Sequence, residues 1–530
     1  QQILPIWNAQ HRQNPVAGHT CVNSNDRRGS RLWRKKHAWN QFWEEKLRKH
    51  ENKTAGRVSY GGGIHMKIEN DLGRDDIRRL VLRLAIPSML AQFINVLYSV
   101  VDRIYIGNIP VIGETALAGV GVSGPIVTLI SAFAYLVGVG GSPLMSIRMG
   151  EGQNEKAKKI LANSFWMIVG LSAVLTLVLF VFKREILTRF GASEAILPYA
   201  ESYFTIYLLG TVFALLSIGM NQFIICQGFA RIGMISVALG AVTNIVLDPV
   251  FIFVFDMGVA GAAFATVLSQ FASAVFVLRF LRGNRVLLRL EFECPQVKTV
   301  CKIALMGLSP FLIISFDNVL IISLNTVIQM YGGAEADMLL TCTTIVQSFM
   351  LIVTMPLGGI TSGTGAILGF NFGAGRPDRI RSAQKYITLL AVVQCSIMFL
   401  FSRTLAQYFV YLFTRNESYV ELTVWAIRVY TMGIIPLAVQ YEVVDGFTGM
   451  GVPSVAISLS MFRKLLYLVS VFLIPVFAGV ENVFYAEVVS DFGGTTVSVI
   501  VYLLLIGRIM GRCVERAKLN GNSDNAVINQ

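Results

Sequence analysis

Apolar runs of about twenty residues recur twelve times along this 530-residue chain, and no other feature narrows its possible folds as far. A run of that length crosses the ~30 Å hydrocarbon core of a bilayer. Inside that core each backbone N–H and C=O must be satisfied within the segment, so such runs fold as helices. The spans fall near 84–107, 118–147, 162–182, 197–224, 235–255, 259–281, 301–330, 338–366, 384–404, 423–447, 454–478 and 483–507. Only 15% of the residues are charged, where a soluble chain carries about 25%. The fold class that follows is an all-α polytopic membrane protein with twelve transmembrane helices. Its net charge of +13 is then a topology signal and requires no nucleic acid partner.

Lys and Arg fall unevenly on the two sides of these spans. The lead from Met66, the loops after even-numbered spans and the carboxyl end hold 24, against five on the opposite side: Lys183, Arg184, Arg189, Arg403 and Arg415. Positive loops stay in the cytoplasm, so both termini are expected there. Residues 1–65 differ from the remainder, with basic clusters such as Arg34-Lys35-Lys36 and no apolar run of signal-peptide length. They are expected to be a non-family extension, poorly ordered or artefactual and dispensable. The seven cysteines show no CxxC or metal-ligand spacing and read as small packing residues.

The chain repeats itself. Gly150-Glu-Gly-Gln-Asn-Glu-Lys-Ala-Lys-Lys after span 2 matches Gly373-Ala-Gly-Arg-Pro-Asp-Arg-Ile-Arg-Ser after span 8, 223 positions later. The same offset places Pro87 on Pro310, Asn95 on Asn318 and Asp102 on Asn325, and Ala265-Thr266 matches Ala486-Glu487 at 221. Two six-helix pseudo-symmetric lobes follow, 66–282 and 301–510, joined by a basic linker at 283–300 and followed by a tail at 511–530. Repeats of equal orientation imply a two-fold axis along the membrane normal with a cavity between the lobes.

The lobes differ where chemistry is expected. Residues 241–270 read as a helical hairpin turning at Asp256-Met257-Gly258, with Asn244 and Asp248 four apart on one helix face. Pro249 cannot donate to the Ile245 carbonyl, which frees an oxygen beside the carboxylate. Thr266 returns to the same depth on the second arm. In span 1, Tyr98 and Asp102 repeat the i, i+4 spacing in the outer part of an outward-running helix. Two carboxyls converging in a low-dielectric site do not both ionise without a bound cation or proton. Tyr98, Asp102, Asn244, Asp248 and Thr266 are therefore the expected coupling site, with sodium at Asp102 and Asp248 or protons on the two acids. Arg103 offers Asp102 a structural partner unless it snorkels to the interface. The second lobe has Asn325, Leu465 and Val469 in place of Asp102, Asn244 and Asp248.

That lobe carries its own buried charges: Asp317, Glu442, Asp445, Arg463, Lys464, Glu487 and Asp491. They are expected to form a polar network, binding substrate or stabilising the lobe. No GxxxxGK[ST], HExxH or GxSxG occurs, so the chain is not read as an enzyme or as ATP-driven on its own.

The stretches NVLYSVVDRIYIG, GFNFGAGR and NIVLDPVFIF followed by GVAGAAFAT resemble the multidrug and toxic compound extrusion (MATE) family, specifically its MepA-type bacterial branch. The resemblance covers about residues 70–510. It implies efflux of organic cations driven by inward sodium or proton flow, with no cofactor beyond that ion. It implies a monomer spanning the bacterial inner membrane among its lipids, and it matches the amino-lobe cation site at the five residues above. Asp317 is the position where some relatives carry an acid in span 7. The rival readings are a flippase for a lipid-linked sugar, for which the spans hold few basic residues, and a membrane sensor without flux.

Overall fold

The computed structural model describes residues 70–528 apart from Val111 and Gly191; the expectations for residues 1–65 lie outside the described residues. The described residues form helices and no strand. The first half holds α1 (Ile77–Gly107), α2 (Gly113–Gly150), α3 (Asn154–Arg189), α4 (Leu197–Leu209), α5 (Thr211–Ile225), α6 (Ala230–Pro249) and α7 (Gly258–Arg282). The second holds α8 (Val297–Tyr331), α9 (Ala336–Gly373), α10 (Pro377–Thr404), α11 (Ala406–Val410), α12 (Glu417–Tyr430), α13 (Ile434–Gly449), α14 (Pro453–Ala478) and α15 (Tyr485–Ile528). Eleven of the described stretches are long and apolar enough to cross a membrane, and the bent pair α4–α5 makes a twelfth.

The two helices bend by 57° at Gly210. A Cβ at Gly210 would lie 2.4 Å from Val267 Cγ2, so only glycine lets α7 approach so closely. The hairpin of α6 and α7 forms as its sequence directs. Pro249 interrupts the α-helical bonding, and the chain continues through a π turn at Val250–Val254, with Phe255 N–H donating to Val250 O at 2.9 Å. Asp256 then takes φ of 52° and Gly258 φ of 53°, which reverses the chain. Residues 511–528, within the expected tail, continue α15 without a break.

The halves meet through α1 against α9 and α2 against α8 and α9. The backbones touch at repeat-related positions. A Cβ on Gly150 would lie 1.9 Å from Phe370 O, one on Gly373 2.0 Å from Ile147 O, and one on Gly307 1.7 Å from Leu136 O. All lie on the side of the basic loops. There one apolar core runs through both halves, while a separate core, Leu320 to Ala486, fills the far side of the second half. The halves are thus joined on the basic side, and their cores part on the far side.

Each half's leading segment is held by the opposite half. Ahead of α1, Leu72 O accepts from Asn371 Nδ2 at 3.0 Å and from Arg379 Nη2 at 3.2 Å, Gly73 O from Arg376 Nη1 at 2.6 Å, and Asp75 O from Arg379 Nη2 at 2.8 Å. Ahead of α8, Gln296 N donates to Asn163 Oδ1 at 2.6 Å, Leu288 N donates to Gln227 Oε1 at 2.8 Å, and Phe292 packs on Phe165 with ring centroids 5.1 Å apart. The basic linker is therefore a docked segment. Of the cysteines among the described residues, Cys226, Cys342, Cys395 and Cys513 are buried, and Cys294 and Cys301 are exposed.

Candidate functional site

In the outer part of the first half, α1, α6 and α7 bring Asp102, Asn244, Asp248 and Thr266 together. Asn244 Nδ2 donates to Asp248 Oδ1 at 3.0 Å and to Thr266 Oγ1 at 3.4 Å. The i, i+4 spacing on α6 makes the first contact, and the hairpin turn makes the second. The Asp102 and Asp248 carboxyls face each other within hydrogen-bonding reach, which becomes a bond only when one is protonated. Asn244 and Asp248 are completely buried. Asp102 Oδ1, Asp248 Oδ2 and Asn244 Oδ1 are buried oxygens that receive no donor. Three unsatisfied acceptors in one place suit a hard cation, or a proton between the carboxyls. Arg103 is exposed and makes no ion pair among the described residues.

Tyrosines wall this site. Tyr98 lies within electrostatic range of both acids and of Tyr135 and Tyr207. Tyr203 reaches Thr266, and Tyr207 reaches Gln270 and Ser131. Both tyrosines of α4 are buried, their rings stacked 6.4 Å apart. The reading from sequence did not include Tyr203 or Tyr207. Their i, i+4 spacing, the same as in the Tyr98–Asp102 and Asn244–Asp248 pairs, was the available signal. Asn325, the repeat mate of Asp102, stands in the second half with no carboxylate at the positions of Asn244 and Asp248, which are Leu465 and Val469.

The charges of the second half do not form one network. Arg463 Nη1 lies 3.1 Å from Glu487 Oε1 and 2.9 Å from Asp491 Oδ1, and Lys464 donates to Asp317. Glu442 and Asp445 take other partners. Asp445 accepts from the Thr361 hydroxyl of α9, and Glu442 faces Gln384 and Thr388 of α10. Three residues apart on α13, they point to different neighbouring helices, so the expected joint network divides.

Comparison with known proteins bears on this arrangement directly. The MatE family model matches residues 87–250 and, a second time, residues 314–473. The chain belongs to the MatE family. The first match contains Asp102, Asn244 and Asp248; the second contains Asp317, Arg463 and Lys464. This MATE transporter is 24% identical over 382 residues to the multidrug export protein MepA of Staphylococcus aureus (strain NCTC 8325 / PS 47), covering 71% of this chain and 82% of MepA. MepA of Staphylococcus saprophyticus is 23% identical over 373 residues, covering 70% of this chain and 80% of that one. Among solved structures, MATE in complex with MaL6 superposes with a TM-score of 0.77 at 23% identity, covering 83% of this chain and 98% of that one. A MOP superfamily transporter from Pyrococcus furiosus Vc1 (DSM3638) gives 0.78 at 23% identity with the same coverage. The MATE transporter described here is thus a multi-pass membrane protein whose fold is that of solved MATE structures.

Proposed function

We propose that this transporter is a multidrug exporter of organic cations, driven by inward flow of sodium ions or protons bound at Asp102 and Asp248. The observation that carries this reading is the trio of buried, donorless oxygens on Asp102, Asn244 and Asp248. Burying carboxylates at bilayer depth is expensive, and a cation or proton offsets that cost. Sodium would use the three oxygens and the Thr266 hydroxyl directly; protons would need only the carboxyls. The likeness to MepA, a multidrug export protein, supports the direction and the breadth of transport.

In this reading the basic loops and both termini face the cytoplasm of a bacterial plasma membrane, and the cleft opens outward. An external cation enters the first lobe and changes its packing around α1 and α6. Grip on the substrate weakens, the substrate leaves outward, and the lobes rock to open the cleft inward. Coupling is then the difference in ion affinity between the two conformations. The protein works as a monomer among membrane lipids. It performs no covalent chemistry and needs no cofactor besides the coupling ion and no nucleic acid.

Dye efflux from proteoliposomes under an imposed sodium gradient, and separately an imposed pH gradient, tests the proposal. Uphill efflux under one gradient is expected. Flat traces under both, with correctly inserted protein, would reject it.

A further inference from the structure

Two bases, Arg463 and Lys464, meet three carboxyl groups, Asp317, Glu487 and Asp491, in the second half. Arg463 is committed to Glu487 and Asp491, at 3.1 and 2.9 Å. Lys464 donates to Asp317 alone. Asp491 Oδ2 is buried and receives no donor.

The two ends of the Lys464–Asp317 pair differ in access. The Lys464 side chain is 3% exposed and that of Asp317 is 52% exposed. Asp317 lies near the middle of the span Val297–Tyr331. A carboxylate half open at that depth faces water and not lipid. In the exporter reading, the space at that depth is the cleft between the halves. An ammonium tethered from behind therefore occupies the acid that a cation entering the cleft would meet.

We propose that Lys464 is a built-in counter-ion that holds Asp317 while the cleft is empty, and that an organic cation binds by displacing it. This rests on the exporter reading and adds to it a residue that decides which ligands bind. A displaced ammonium on a flexible four-carbon stem stays within electrostatic range of Glu487. Neutral and anionic molecules cannot replace the ammonium and gain nothing from the site. Lys464 thus acts as a threshold: a cation binds only if its own contacts exceed those of the ammonium it displaces.

The test is equilibrium binding to the purified full chain of ethidium, a monocation, and Nile red, a neutral dye. The parent, Lys464→Met, Lys464→Arg, Asp317→Asn and the double variant Asp317→Asn/Lys464→Met are compared. Lys464→Met should bind ethidium on the order of tenfold more tightly, within the usual range for coupled sites, with Nile red unchanged. Lys464→Arg, which keeps the charge, should stay near the parent. In the Asp317→Asn background the Lys464 substitution should have no effect, and this pair, having lost both charges together, folds independently of the single variant. Unchanged ethidium affinity in Lys464→Met would overturn the proposal, as would equal tightening for Nile red or tightening that persists without Asp317. Failure of the parent to bind ethidium or any organic cation would instead overturn the exporter reading, and this inference with it.

Discussion

Gly150 and Gly373 stand 223 positions apart, and each is pressed against the helix that carries the other: Gly150 against Phe370 O of α9, Gly373 against Ile147 O of α2. Ile147 and Phe370 are also 223 positions apart, so one contact is the image of the other about the pseudo-two-fold axis. A methyl group at either glycine would have to occupy space held by a backbone carbonyl, which does not move without moving its helix.

Gly150→Ala and Gly373→Ala should therefore each weaken closure of the basic side by about 1–3 kcal/mol, the usual cost of overpacking. Spin-label distances across the basic side should show a larger open fraction in both variants. A distribution like the parent's in both would contradict the role given to this contact.

Asp102→Asn and Asp248→Asn keep side-chain size while removing the charge a coupling ion must neutralise. Each should insert normally and bind substrate yet lose the ion-dependent shift in affinity. Asn325→Ala, at the repeat mate of Asp102, should leave that shift nearly intact. Substrate titrations across a sodium series and a pH series separate the three. An effect of Asn325→Ala as large as that of Asp102→Asn would disprove a site confined to one half.

Much of this was legible in the sequence for a physical reason. Lipid forces each span into a helix, so residue number converts to depth, and i, i+4 pairs such as Asn244 and Asp248 fall on one face. Two such pairs on different helices, with a turn at Asp256, were enough to place Asp102, Asn244, Asp248 and Thr266 at one depth. The reading failed where rotation about the helix axis matters. Depth alone did not show that Tyr203 stands near Asp102 and Thr266, nor that Glu442 turns to α10 while Asp445 turns to α9. The close approach at Gly210 was hidden as well, because the side chain it meets is Val267, far away in the chain.

Arg463 offers a stability measurement. Its partners Glu487 and Asp491 are 12% and 0% exposed, so Arg463→Met leaves two buried carboxylates without their base. The loss should be about 3–5 kcal/mol, seen as a lower melting temperature in detergent. Adding Glu487→Gln and Asp491→Asn should restore most of it. If the single variant melts with the parent, the ion pairs do not hold the second half together.

Arg379 holds the carbonyls of Leu72 and Asp75 and the side chain of Asn371. Arg379→Ala should free the segment ahead of α1 and shift the conformational balance by about 1–3 kcal/mol toward an open basic side. Hydrogen exchange at residues 70–76 should speed up in the variant. Exchange as slow as in the parent would show that the other contacts suffice.

Segments ahead of α1 and α8 each dock on the opposite half, an arrangement of the kind seen when two protomers exchange an element. The peptide bonds near Gly283 and Asn284 are then a convenience rather than the fastening. The two halves, made as separate polypeptides divided there, would still carry the recognition surfaces that assemble them into one transporter. Such a division would leave the six-helix unit, and not the single chain, as the natural piece of inheritance.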